Sequence, residues 1–105
     1  MDVSRTESLA AYLRAQGRRR LDRVEAADDG HNARCALALL DAAAYTESLP
    51  EDDPLIEMLE KAGCFGPLGF DEFAPGEEGA RFIRDWSGSE PHELLLALPA
   101  VTASA

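Results

Sequence analysis

The sequence predicts an all-α fold. It reads as a compact bundle of four to five helices around a central Ala/Leu-rich helix at about 32–49, with a Gly/Phe-rich loop at 63–76. Three observations predict this. Apolar residues recur at helical spacing in successive stretches of the chain. Residues that start and stop helices stand at the ends of those stretches. One stretch, ARCALALLDAAAYTESL at 33–49, is apolar round most of its circumference, so other elements are expected to cover it on most sides. At helical pitch only Arg34, Asp41 and Ser48 share a polar stripe there. Ala33, Leu37, Leu40 and Ala44 form one apolar seam, and Ala36, Leu39 and Ala43 form the next.

The first helix is expected to begin at Ser4, because Ser4 and Glu7 have the spacing of a capping box. Leu9, Leu13, Leu21 and Val24 fall near one face, with Tyr12 beside it. Gly17 stands in the middle of that face and weakens the helix by roughly 1 kcal/mol against Ala. It either admits a second helix at close range or divides the first in two. Asp28-Asp29-Gly30 is a turn, and Asp29 or Asn32 is expected to cap the central helix. Pro50 ends that helix.

Acids at 51–53 and Pro54 suit the start of a third helix, which buries Leu55, Ile56, Leu59 and Ala62 and stops at Gly63. Across 63–76, GCFGPLGFDEFAPG, no period fits: glycines and prolines exclude a long helix, and phenylalanines exclude a solvated linker. Helical spacing returns over 77–86 through Ala80, Ile83 and Trp86, with a strand over 80–84 as the competing assignment. A last helix follows Ser89 or Glu90, carries Leu94, Leu95, Leu96 and Leu98, and is expected to close at Pro99. Residues 1–98 thus form one helical domain, with 99–105 a frayed tail.

Composition narrows the function. The apolar fraction of 46% excludes global disorder, but much of it is Ala, so the core is expected to be light. The net charge is −10, unevenly placed: residues 1–26 carry a net of +2 and the remainder −12. An acidic body repels nucleic acid and anionic membrane and suits basic protein partners. No secretory signal is visible, and no stretch approaches the roughly 18 apolar residues of a membrane span. The chain therefore reads as cytoplasmic, with Cys35 and Cys64 reduced.

Several stretches could carry chemistry. Arg14, Arg18, Arg19, Arg20 and Arg23 form a basic patch that could meet phosphates or an acidic surface. Without interleaved aromatic residues, it is expected instead to pair with the acidic remainder of the chain. Glu47, Glu51, Asp52, Asp53, Glu57 and Glu60 cluster across one turn and could engage a basic protein, or simply solvate the domain. Phe65, Phe70 and Phe73 could form a partner-binding knob, or fold back to roof a core short of bulk. His31 and Cys35 share a helical face, but paired short ligand spacing is lacking, so no metal is expected. No cofactor motif or legible nucleophile–base pair occurs, so no cofactor and no enzymatic activity are expected.

The expectation is a non-catalytic cytoplasmic protein-interaction module: a small acidic regulator, adaptor or inhibitor. The acidic turn and the Phe loop would be its contact surfaces. A light core and helices rich in small residues are compatible with a homodimer. The first alternative is a small-molecule-binding or enzymatic domain with a pocket beneath the Phe loop next to Trp86. The second is a nucleic-acid-linked regulator acting through the Arg-rich first helix, which the net charge disfavours.

Overall fold

A computed structural model describes residues 4–65, 73–88 and 90–103. Among them the fold is all-α: α1 (Arg5–Leu21), α2 (His31–Glu47), α3 (Pro54–Lys61), α4 (Gly76–Arg84) and α5 (Pro91–Ala103), with a single 3-10 turn at Ala26–Asp28. The radius of gyration is 13.4 Å, close to the ~13 Å of a packed chain of this length.

α1 starts where the capping residues predict. Ser4 is extended, and its Oγ accepts from the Glu7 N–H at 3.0 Å. The helix then runs unbroken through Gly17. A Cβ at that position would lie 3.0 Å from Leu40 Cγ and 3.3 Å from the Ala36 carbonyl oxygen. Gly17 is therefore the close-approach point of a tight α1–α2 hairpin. The core side of the hairpin buries Leu9, Ala10 and Leu13 against Leu39, Ala42 and Ala43. Leu21 and Val24 do not join them: both are exposed, because α1 ends at Leu21 and the chain turns away.

The cap of α2 also differs from expectation. Gly30, at φ 76°, takes the N-cap position, with Asp29 at φ 54° before it. Neither Asp29 nor Asn32 caps the helix. Asn32 lies inside the first turn, where its amide reaches back to the Arg23 carbonyl at 3.0 Å and its oxygen accepts from Arg20 at 2.9 Å. α3 is capped by Asp53, whose carboxylate accepts from the Leu55 N–H at 2.9 Å, and Pro54 fills the first position.

α2 is not enclosed on most sides. It packs on α1 and α5, and its predicted seam 33–37–40–44 is covered only in part: Leu40 lies at Gly17, whereas Leu37 is 66% exposed and Ala44 is exposed. The element with the most neighbours is α5, which packs on α2, α3 and α4. The cause lies in side-chain size. Leu94, Leu95 and Leu98 of α5 are wholly buried, and each removes far more apolar surface from water than the alanines of α2. α5 also continues through Pro99 to Ala103, past the expected stop. The proline denies the Leu95 carbonyl its helical partner. Val101 in the extra turn lines the cleft at Trp86.

The described ends of the Gly/Phe-rich loop fold inward. Phe65 and Phe73 form an antiparallel bridge, and Ala74 N–H donates to the Cys64 carbonyl at 2.6 Å. Phe73 N–H donates to Ser8 Oγ at 2.6 Å, tying the loop to α1. The Phe73 ring meets Tyr12 edge-on at 5.0 Å and Phe65 at 5.7 Å. Over 80–84 the chain is helical within α4, and the strand assignment does not hold.

Candidate functional site

The acidic turn mostly braces α1. Glu51 accepts from the main-chain N–H groups of Arg5 and Thr6 and from the Thr6 hydroxyl, so it satisfies donors at the start of a helix forty-five residues away. Glu60 pairs with Arg5, Glu47 pairs with Arg14, and Asp53 is spent on the α3 cap. Asp52 and Glu57 remain exposed, beside Lys61, on a recess of about 350 Å³.

Phe65 and Phe73 are core residues, so their rings roof the interior and do not present a knob to a partner. Phe70 lies outside the described residues. The bulk they add is what an Ala-rich core lacks.

The basic patch divides in four. Arg14 is held by Glu47. Arg20 is mostly buried and clamps the end of α1 to the end of α4: Nε and Nη2 donate to the Arg84 carbonyl at 3.0 and 2.6 Å, and Nη2 reaches Asp85 at 3.0 Å. Arg19 and Arg23 share a recess with Tyr12, Gln16, Arg20 and Arg84. Arg18 lies outside it and is exposed. Arg84 is not legible as a member of the patch from sequence, because only the docking of α4 on α1 brings it to the arginines. Tyr12 and Gln16 do precede Arg19 and Arg23 at helical spacing, which is the signal a closer reading could use.

Burial raises the Tyr12 phenol above its ordinary pKa of 10.0, and the positive charges of Arg19 and Arg84 pull the other way. Its hydroxyl is thus a neutral donor at ordinary pH.

A third recess, an open cleft of about 540 Å³, lies between α4 and the last turn of α5. Phe82, Trp86, Gly88 and Val101 line it, with Glu78 and Arg81 at its rim. None of the described residues of the 63–76 loop contributes to it. The Trp86 indole N–H is buried without a hydrogen-bond partner among the described residues.

His31 Nε2 stands 3.8 Å from the buried Cys35 thiol. Cys64 is also buried and unbridged. His92 is engaged elsewhere, at 3.2 Å from the Tyr45 hydroxyl. Among the described residues no group of three or more His, Cys, Asp or Glu side chains is placed to hold a metal ion.

The outer face of the α1–α2 hairpin carries the most exposed large hydrophobic residue among those described, while Val24, Met58 and Leu96 are exposed elsewhere. Leu37 is 66% exposed, and Leu21, one turn beyond Gly17 on the same face of α1, is 47% exposed. Arg14, Arg18, Arg34 and Asp41 border it at helical spacing. No described helix is long and apolar enough to cross a membrane. No protein-family model, no curated protein and no solved structure matches the chain.

Proposed function

We propose that the protein is a non-catalytic, cytoplasmic protein-interaction module, a small regulator, adaptor or inhibitor that engages its partner through the outer face of the α1–α2 hairpin. The observation that supports this reading is the exposure of Leu37 on the seam of α2. Leu37 exposes two-thirds of its surface in the middle of a long helix, and Leu21 is exposed on the neighbouring α1. Leucines in contact with water gain free energy when a partner covers them.

The partner's chemistry follows from charge and shape. A body of net charge −10 draws basic proteins towards it. The narrow strip suits an apolar helix face laid along the hairpin. The partner is therefore a protein of net positive charge presenting an apolar helix, with acids beside that helix to meet Arg14, Arg18 and Arg34 at the border of the strip. Asp52 and Glu57, acids of the turn whose side chains have no hydrogen bond or ion pair among the described residues, add to its attraction. Two buried, unbridged thiols accord with a reducing compartment.

A native pull-down with the wild-type chain and a Leu37→Lys variant tests this. A specific basic protein retained by the wild type, released by salt and lost with Leu37→Lys is the expected result. An identical set of proteins on both baits would refute the assignment. Concentration-dependent dimers in sedimentation, abolished by Leu37→Lys, would instead assign the face to a second copy of the chain.

A further inference from the structure

We propose that the recess between α1 and α4 is a binding site for a compact phosphate-type anion, held by Arg19, Arg23 and Arg84 with Tyr12 and Gln16 as neutral donors. This is separate from the apolar hairpin face and does not depend on it.

The first ground is uncompensated charge. In a protein with twice as many acids as bases, this recess is lined by four arginines and no carboxylate. Only Arg20 has a carboxylate partner, Asp85, and that contact belongs to the clamp on α4. The side chains of Arg19, Arg23 and Arg84 have no hydrogen bond or ion pair among the described residues. Arginines at the last turns of α1 and α4 do complement the negative ends of two helix dipoles. That accounts for their presence on each helix. It does not account for their meeting in one recess, where like charges repel and a bound anion would relieve the repulsion.

The second ground is donor chemistry. Guanidinium groups offer paired N–H donors that match phosphate oxygens. The Tyr12 hydroxyl and the Gln16 amide add donors without further charge. Tyr12 is held by its edge-on contact with Phe73, and Arg20 joins the two walls, so the recess is formed before any ligand arrives.

The third ground is size. The recess holds about 200 Å³, below the ~300–1,000 Å³ usual for drug-sized ligands. A phosphate or pyrophosphate group suits that space. The net charge of −10 also discriminates by size. A long polyanion meets the whole acidic body, whereas a small anion within the recess meets mainly the arginines inside one screening length of about 8–10 Å.

Titration with inorganic pyrophosphate at low salt, followed by calorimetry and by amide chemical shifts, tests the site. The expected result is saturable one-site binding, with shifts confined to the neighbourhood of Tyr12, Gln16, Arg23 and Arg84. The double variant Arg19→Gln/Arg84→Gln should weaken it roughly tenfold or more, as expected for loss of charged hydrogen bonds. Arg18→Gln, outside the recess, should leave it unchanged. Tyr12→Phe keeps the ring and removes only the hydroxyl, and should weaken binding by a smaller factor, which serves if the double variant folds poorly. Absence of saturation at millimolar pyrophosphate would overturn the proposal. So would equal weakening by Arg18→Gln, which signals diffuse attraction. A short single-stranded oligonucleotide that binds more tightly than pyrophosphate would overturn it in favour of a nucleic-acid surface.

Discussion

The guanidinium of Arg20 donates twice to the main-chain carbonyl of Arg84, at 3.0 and 2.6 Å, and so ties the last turn of α1 to the last turn of α4. The acceptor is a carbonyl at a helix end, a group that needs a partner from outside its own helix. A planar fork supplies two donors to it at once, which a lysine ammonium cannot do in the same geometry. Arg20→Ala is expected to cost about 1–2 kcal/mol, less than a fully buried charged bond because Asp85 is well exposed. Urea unfolding of Arg20→Ala and Arg20→Lys measures it. Full stability in the Lys variant would show that charge, and not the fork, holds the two helices.

Gly17 is expected to resist β-branched replacement. The helix alone prefers almost any residue over Gly, but Leu40 Cγ and the Ala36 carbonyl occupy the space a side chain needs. Gly17→Val should therefore destabilise by about 1–3 kcal/mol. A double-mutant cycle with Leu40→Ala tests the cause. If the penalty is the same with either residue at position 40, the Leu40 side chain is not its source.

Leu37 and Leu39 stand two residues apart in α2 and should behave oppositely. Leu39 is wholly buried, and Leu39→Ala should cost about 2–5 kcal/mol. Leu37→Ala should change the stability of the isolated chain by no more than about 0.5 kcal/mol. Denaturant midpoints of the two variants decide the matter. A large loss at Leu37 would mean that the seam is covered in solution, by a second copy of the chain.

Glu51 should matter to folding where Asp52 does not. Glu51→Ala leaves the N–H groups of Arg5 and Thr6 without their acceptor and should cost about 1 kcal/mol, the size of a lost helix cap. Asp52→Ala removes an exposed acid with no such duty and should be near neutral. Thermal unfolding of the pair separates a brace from a solvated face, and equal melting points would remove the brace.

Tyr12 implies a weakness at alkaline pH. Its pKa is raised in the folded state, so its contribution is complete below the unfolded value of 10.0 and is lost as pH rises through the folded value. Stability should fall above pH 10.0 partly through this group, and Tyr12→Phe should flatten that fall. Urea midpoints on either side of pH 10.0 report it, and parallel losses in both proteins would point to other groups.

Much of the helical fold was legible before any coordinates. Ser4 and Glu7, Pro54 behind three acids, and Gly63 mark helix ends through local backbone chemistry, and each stands where expected. The period of Leu9–Leu13 and of Leu55, Ile56 and Leu59 named buried residues correctly. Local signals failed where a distant neighbour set the outcome. Leu21 and Val24 share the period of Leu9, but no element lies over them. Pro99 breaks an isolated helix, yet here the chain beyond it, where Val101 lines the cleft at Trp86, stays helical.

The candidate sites divide along the same line. Charge, the light Ala-rich core and the helical spacing that sets Tyr12, Gln16 and Arg19 along one side of α1, with Arg23 just beyond its end, are written in the sequence alone. The docking of the helices sets what those groups meet. It turned Glu47, Glu51 and Glu60 towards α1, brought Arg84 to the arginines, and left Leu37 in water. Helix formation follows from bonds within a few residues of each other. Exposure and charge pairing depend on which helices dock, and that is set by the large leucines of α5 and the gap at Gly17, far along the chain from the sites they shape.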